Sequence, residues 1–217
     1  MSASNPGTEP ADVGERIRAA ILAGDFAPGQ RLVEAELCEM FHATRGTIRA
    51  ALIDLAHDGI VERIANRGAR VRAVSVEEAI AITEVRMVVE GLCAAKAAER
   101  ITEEQVTELR ELGRRMQEAV RAGEVMTYSQ LNHELHDRIR DIGAQPVAAE
   151  VLVKLRARNV RHAFRLALRP GRPQVSLPEH LAIIDELCAR SPDGAERAVR
   201  RHLASVIAAL RDTDPGS

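Results

Sequence analysis

The sequence has few cysteines, no long apolar run and no excess of either charge. Its three cysteines, Cys38, Cys93 and Cys188, form no C-x-x-C pair, which argues against both a zinc ribbon and a disulfide framework. The residues after Met1 lack the basic start and apolar core of a signal peptide, and no stretch is long enough to span a bilayer. We therefore expect a cytoplasmic protein without a membrane segment, built as one large or two modest domains.

Overall charge does not indicate a nucleic-acid partner, because 30 basic side chains face 32 acidic ones. One segment departs from this balance. Between residues 41 and 75 there are six arginines against three acids, a local excess of +3. An anionic partner is therefore expected along this segment. Its arginines are Arg45, Arg49, Arg63, Arg67, Arg70 and Arg72.

Hydrophobic spacing predicts three short helices near the start of the chain. After a disordered tail over residues 1–11, apolar residues recur at helical spacing from about 13 to 24. A second helix is predicted from Glu34 to Phe41. Thr44 is a good N-cap for a third helix, because its hydroxyl can accept a backbone N–H of the first turn, and Gly59 ends that helix.

The helical period then gives way to a β-hairpin pattern. Ile60–Ile64 and Ala69–Val74 are β-prone runs on either side of Asn66-Arg67-Gly68, whose composition is typical of a hairpin turn. Three short helices followed by a basic hairpin predict a winged helix-turn-helix domain over residues 12–74.

No strand signal follows Ser75, and several helix starts carry the pattern of a capping box. These pairs are Ser75 with Glu78, Thr102 with Gln105, and Ser176 with Glu179. We predict an all-helical bundle over residues 76–212, so that the fold class is mainly α. The predicted helices lie at about 76–99, 102–122, 126–142, 146–168, 177–189 and 193–211.

The third helix has a polar face suited to the major groove of DNA. Arg45, Thr47 and Arg49 lie opposite its apolar face, where an α-helix in the groove meets base edges and phosphates. A merely solvated polar face is the alternative interpretation. The short helix before it and the basic hairpin after it favour DNA contact.

The surrounding residues resemble the GntR family of bacterial repressors along the whole domain. The pattern is Pro28-Gly29-x-x-Leu32-x-Glu34-x-x-Leu37, Thr44-Arg45-x-x-Ile48-Arg49-x-Ala51-Leu52-x-x-Leu55, Gly59-Ile60-Val61 and Arg67-Gly68-x-x-Val71. In that family, the positions of Arg45, Thr47 and Arg49 touch the operator, and that of Gly68 lies at the wing tip. The resemblance implies the same roles here. We assign Thr44 and Arg67 to this DNA-binding set as well. Gly46-Thr47 stands where many members have Thr-Pro, so the operator sequence does not carry over.

Three histidines of the predicted bundle lie on apolar faces of separate helices, at His136, His180 and His202. Asn132 lies one turn before His136 on the same flank. Each histidine alone is typical of a hydrogen-bonded core residue, whereas three with an amide favour a convergent site. Neutral imidazoles suit zinc, nickel or a similar ion and leave coordination positions open.

The second half of the chain also resembles the FCD domain of FadR-type regulators. The residues that carry the likeness are Glu84-x-Arg86-x-x-x-Glu90, Leu131-Asn132-x-x-Leu135-His136, Ser176-x-x-Glu179-His180-x-x-Ile183 and Ala198-x-x-x-His202. In the metal-binding members, the positions of Asn132, His136, His180 and His202 hold the ion. The first is commonly aspartate. The resemblance implies a divalent metal, zinc first with nickel or manganese as alternatives, and a small organic acid as effector.

Arg86 lies on the inner flank of its predicted helix, where a guanidinium needs a partner. One interpretation is an ion pair with Glu90 at i+4. The other is that Arg86 and the open positions of the ion together hold an effector carboxylate, which arginine matches with two parallel hydrogen bonds.

Two other classes of protein share part of this pattern. A metal-dependent hydrolase or oxygenase would use the same three histidines, but it leaves the first domain unexplained, and the sequence has no H-E-x-x-H, G-x-S-x-G or phosphate loop. An architectural DNA binder explains the first domain but not the bundle. We therefore predict a ligand-responsive transcription regulator, a repressor and not an enzyme. Because a single small head buries little DNA surface, we also predict a homodimer.

Overall fold

Apolar residues at helical spacing, interrupted by glycines and a β-prone hairpin, give the first part of the chain three helices and a small sheet. A computed structural model of the protein describes residues 10–64 and 68–212. Its first elements are α1 (Pro10–Ala23), β1 (Arg31–Leu32), α2 (Glu34–Phe41), α3 (Arg45–His57), β2 (Val61–Ile64) and β3 (Gly68–Val71).

The helix bounds follow from local capping. α2 ends at the residue predicted, and His42 beyond it takes the left-handed conformation with φ of 52°. α3 begins after Thr44, whose side chain accepts the backbone N–H of Thr47 at 3.2 Å. α1 begins at Pro10, inside the segment predicted as a tail, because proline fits a first turn whose N–H groups have no helical partner. Residues 1–9 of that segment lie outside the described residues.

The strands form one antiparallel sheet in the order β1-β3-β2. Ile64 pairs with Gly68 and Val61 with Val71, so the hairpin has the predicted position, although its second strand ends at Val71 and not at Val74. The two-residue strand β1 was not predicted. The remaining residues of the predicted turn, Asn66 and Arg67, lie outside the described residues.

The core of this unit fixes which face of α3 is outward. Ile48, Leu52 and Leu55 are buried as their spacing predicts, and they pack in one cluster with Val13 and Ile17 of α1. The opposite face of α3 therefore remains available for a partner.

The rest of the described chain is helical. It consists of α4 (Val76–Arg100), α5 (Glu103–Ala122), α6 (Val125–Gly143), α7 (Pro146–Ala167), α8 (Arg172–Cys188) and α9 (Pro192–Arg211). The chain divides into two units, one running to Val74 and including Arg156–Arg161, the other comprising the remaining residues from Ser75 onward. These elements confirm the mainly helical fold class. Among the residues described, no helix is both long and apolar enough to cross a membrane.

The core of the second unit lies between α4, α5, α6, α8 and α9. Its fully buried side chains include Leu109, Met116, Leu135, Ile183 and Leu187. α4 packs along both α6 and α9, and α8 packs against α9 and α5. The inner faces of α6, α8 and α9 therefore share this core.

Two of the predicted helix starts in this unit have different outcomes. Thr102 and Gln105 form the predicted capping box at α5, with hydrogen bonds of 3.2 and 3.0 Å. The box predicted at Ser176 is wrong, because α8 begins earlier, at Arg172. Ser176 lies inside the helix, where its hydroxyl donates to the carbonyl of Arg172 at 3.0 Å. Pro173 lies in the first turn of α8, where a proline is well tolerated.

Candidate functional site

The outer face of α3 presents the polar residues that the sequence singled out. Arg45 and Arg49 have side chains 65% and 61% exposed, one helical turn apart. Thr47 is half-buried, and its hydroxyl lies 2.9 Å from that of Thr44 at the start of the helix. The structure therefore brings Thr44, Arg45, Thr47 and Arg49 to the N-terminal half of α3.

A groove of about 500 Å³ runs along this face and is lined by elements of the first unit only. The charged side chains among the lining residues described are four arginines and one acid, Glu34. The arginines that line the groove are Arg31, Arg45, Arg49 and Arg63. Arg63 belongs to the basic segment noted in the sequence, whereas Arg31 was not singled out there.

The wing contributes Gly68, at a position where the backbone requires glycine. Its φ is +87°, and a Cβ built there would lie 3.1 Å from the carbonyl oxygen of Leu32. Both facts disfavour any larger residue. Gly68 begins β3 and lines the groove, whereas Arg67, the neighbouring predicted contact, lies outside the described residues.

Three histidines converge inside the second unit. His136 of α6, His180 of α8 and His202 of α9 offer ligand atoms that all lie within 4.8 Å of one another. Their exposures are 8%, 1% and 5%, so the cluster is shielded from bulk water. The sequence could place each residue on an inner face, and the structure shows that the three faces meet.

Two of the histidines are held by carboxylates. Nδ1 of His136 lies 2.9 Å from Oε2 of Glu90, and Nδ1 of His202 lies 2.9 Å from Oε2 of Glu179. A carboxylate behind Nδ1 orients the ring so that Nε2 is the ligand atom, and it makes that nitrogen more basic. In the sequence, Glu90 was noted as a partner for Arg86 and Glu179 as a capping residue, and both belong to the FCD pattern, but neither was expected to contact a histidine.

His180 is held by a neutral chain of hydroxyl groups. Ser176 uses its proton on the carbonyl of Arg172, so its oxygen accepts the proton of the Tyr128 hydroxyl, which lies 2.8 Å away. The Tyr128 oxygen then accepts from Nδ1 of His180 at 2.8 Å. This count of protons assigns the tautomer in which Nε2 of His180 carries the lone pair.

Two of the candidate ligands each have a buried polar atom that no hydrogen bond satisfies within the described part of the chain. These atoms are Nε2 of His180 and Oδ1 of Asn132, which lies one turn before His136 on α6. Leaving such atoms unsatisfied costs about 1–3 kcal/mol each. A cation would satisfy both atoms, since each offers a lone pair. The residues present therefore fit a divalent ion.

Each carboxylate behind a histidine is also paired with an arginine. Arg86 donates to Oε1 of Glu90 through Nε at 2.9 Å, and its Nη2 lies 2.8 Å from the same oxygen. This ion pair is the first interpretation given for Arg86. Arg172 donates to Ser205 at 2.9 Å and to Glu179 at 3.4 Å. Nothing in the sequence singled out Arg172 or Ser205.

The surroundings of the site keep His180 and Tyr128 neutral. Burial lowers the pKa of His180 well below its ordinary value, and the nearby charges of His202, His136 and Arg172 lower it further. Burial also raises the pKa of Tyr128 to about 12, so its hydroxyl remains protonated at neutral pH. A neutral imidazole is the form that ligates a metal.

Comparison with known proteins bears on both units. The model of the gntR family of bacterial regulatory proteins matches residues 10–71, and the FCD domain model matches residues 81–205. The HTH-type transcriptional repressor RspR of Escherichia coli K12 is 27% identical over 186 residues, which is 86% of this chain and 82% of RspR. The repressor NanR of Cronobacter sakazakii is 26% identical over 90% of this chain and 83% of its own length.

The solved structure of E. coli McbR/YncC has the same fold. It matches with a TM-score of 0.79 at 21% identity, over 94% of this chain and 97% of that one. The two family matches cover most of the chain and correspond to the winged helix-turn-helix and the helical bundle described above. The chain therefore belongs to the gntR family of bacterial transcriptional regulators, with an FCD domain as its helical part, and not to an enzyme family.

Proposed function

We propose that the protein is a repressor that binds operator DNA and is controlled by a small organic acid bound at a metal centre in the FCD domain. The observation that carries this proposal is the convergence of His136, His180 and His202, each with Nδ1 within 2.9 Å of a side-chain oxygen. Relatives described as repressors support the direction of regulation.

DNA binding is assigned to α3 and the wing. Thr44, Arg45, Thr47 and Arg49 contact the major groove, and Arg67 with Gly68 contacts phosphate or the minor groove. A single winged helix-turn-helix domain buries little DNA surface, so the protein binds a pseudo-palindromic operator as a homodimer. It acts in the cytoplasm, where bacterial DNA lies.

The ion is assigned to Asn132, His136, His180 and His202, with zinc favoured and nickel or manganese as alternatives. All four ligands are neutral, so a bound divalent ion keeps its full charge in the site, and that charge supplies the attraction for a carboxylate. Glu90 and Glu179 lie behind the histidine rings and are each paired with an arginine. The arginine charges offset those of the two glutamates, so the glutamates do not repel an anionic ligand.

We assign the effector a carboxylate group that binds both the ion and the Arg86 guanidinium. Nε and Nη2 of Arg86 bond Glu90, so Nη1 is the donor assigned to the effector. This contact gives the effector a second anchor on α4.

Calorimetric titration of chelator-stripped protein tests the metal assignment. We expect zinc, nickel or manganese to bind with at least micromolar affinity in the wild type, and His180→Ala to abolish binding while the protein stays folded. His133→Ala is the matched control, because His133 lies on α6 but is exposed. If the wild type takes up none of the three ions, the histidines are core residues and the proposal fails.

A further inference from the structure

One carboxylate holds both arginines of the α3 outer face. Nε of Arg49 lies 3.0 Å from Oε1 and 2.9 Å from Oε2 of Glu34, and Nε of Arg45 lies 3.6 Å from Oε2. Glu34 is the first residue of α2, and its side chain is only 22% exposed. Arg49 therefore projects from α3 while its Nε is hydrogen-bonded to α2, and Nε of Arg45 lies within ion-pair distance of the same carboxylate.

This anchoring leaves a defined part of each guanidinium for DNA. The guanidinium is planar and carries five N–H donors in a fixed geometry. Both hydrogen bonds to Glu34 come from Nε of Arg49, so they leave the N–H donors of Nη1 and Nη2 for other acceptors. A pair of terminal donors is what arginine uses to bind O6 and N7 of guanine in the major groove.

The charge of Glu34 is otherwise a disadvantage in this groove. Four arginines line the groove beside it, and a carboxylate there repels the phosphates that they attract. An exposed ion pair also contributes little to folding stability. Orientation of the arginines is the benefit that offsets this repulsion.

We propose that Glu34 is a positioning residue for base recognition: it orients Arg49, and with it Arg45, so that their terminal nitrogens bind guanines of the operator half-site. The inference rests on the proposed contact of these arginines with DNA. It predicts that removal of the carboxylate has opposite effects on the two kinds of binding. Specific binding loses an oriented donor pair, while non-specific binding loses a repulsive charge.

The test uses duplexes that the full-length wild-type protein selects from a random-sequence library. Affinity for the selected duplex and for a shuffled duplex is measured at one salt concentration, for the wild type, Glu34→Ala and Glu34→Gln. We expect the ratio of the two affinities to fall about tenfold or more in Glu34→Ala, with non-specific affinity unchanged or higher. Glu34→Gln keeps an acceptor oxygen and serves if the alanine variant folds poorly.

Glu36→Gln is the matched control, because Glu36 is an exposed acid on the same helix and its substitution removes the same charge. It should raise non-specific binding slightly and leave the ratio unchanged. If Glu34→Ala changes both affinities in parallel, or selects the same guanines as strongly as the wild type, the positioning role is wrong. Arg49→Ala separates the two hypotheses: if it also leaves the selected sequence unchanged, the proposed reading face of α3 fails first.

Discussion

The Tyr128 hydroxyl lies 2.8 Å from Nδ1 of His180 and 2.8 Å from the Ser176 oxygen, which links α6 to α8 beside the histidine cluster. The hydroxyl has one proton, and the bond from Ser176 to the Arg172 carbonyl decides where that proton goes. The His180 ring is therefore oriented, with its lone pair on Nε2, before any ligand arrives.

Tyr128→Phe should weaken metal binding while leaving the three histidines in place. Without the hydroxyl, nothing selects the tautomer of His180, and loss of such an outer partner typically lowers metal affinity about 10–100-fold. Zinc titration of stripped protein measures the loss. Ser176→Ala should have a smaller effect, because Tyr128 still contacts His180. Wild-type affinity in Tyr128→Phe would show that the tyrosine only fills space.

Chelator-stripped protein should lose stability as the pH falls below about 6.5. Burial, followed by the charges of His202, His136 and Arg172, lowers the pKa of His180 in the fold, whereas in the unfolded chain the pKa returns to about 6.5. Below that value the unfolded state binds more protons, so the free energy of unfolding drops by up to about 1.4 kcal/mol for each pH unit. Above it, the contribution of His180 is fully present.

Urea unfolding at about pH 7.5 and about pH 5.5 measures this dependence on either side of the ordinary histidine pKa. The drop should shrink in His180→Ala and persist in His133→Ala, since His133 is exposed. An equal drop in wild type and His180→Ala would assign the acid sensitivity to other groups.

Asn132→Asp should tighten metal binding and loosen the effector. Aspartate adds an anionic oxygen ligand to the ion, and its charge cancels part of the attraction for a carboxylate. Asn132→Leu removes the oxygen and should weaken metal binding, so the metal affinity of the wild type should lie between those of the two variants. Calorimetry with the metal, followed by a panel of mono- and dicarboxylates, gives both affinities. If the effector binds Asn132→Asp as well as the wild type, the electrostatic argument is wrong although the ligands are right.

Two glycines of the first unit should respond to alanine in opposite directions. Gly68→Ala forces a left-handed conformation on a residue with a Cβ and pushes that atom toward Leu32, so we expect a loss of about 1 kcal/mol or more. Gly46 lies in the first turn of α3, and a Cβ built there has no neighbour closer than 3.8 Å. Gly46→Ala should therefore raise the free energy of unfolding by up to about 1 kcal/mol. Thermal unfolding of both variants checks the pair. A gain in Gly68→Ala would contradict the backbone assignment at the wing.

Local sequence signals predicted the elements whose ends depend on neighbouring residues. Thr44 caps α3 as predicted because its acceptor and the donor of Thr47 are three residues apart. The same kind of signal failed at Ser176, where a serine three residues before a glutamate had the pattern of a cap, although the helix had already begun at Arg172. Strand β1 was missed because two residues are too few to show a period.

The sequence placed the three converging histidines on inner faces, but it did not indicate the side chains that contact them. Periodicity places His136, His180 and His202 on inner faces, and their number together with the resemblance favoured a convergent site, but spacing alone could not show that these faces meet. Tyr128 and Glu179 act across helices, over contacts of 52 and 23 residues in sequence, and no spacing rule reaches that far. Glu34 had been noted within a motif, but its bonds to α3 depend on how α2 packs.

Glu90, whose Oε2 lies 2.9 Å from Nδ1 of His136, belongs to α4, and only four residues separate α4 from the last strand of the wing. Any ligand that alters the charge on His136 therefore acts on the helix that follows the hairpin directly along the chain. If that influence changes operator affinity by some factor, thermodynamic reciprocity requires the operator to change effector affinity by the same factor. DNA-bound and free protein would then respond to different concentrations of the same acid, and the operator would itself help to set the threshold of the sensor.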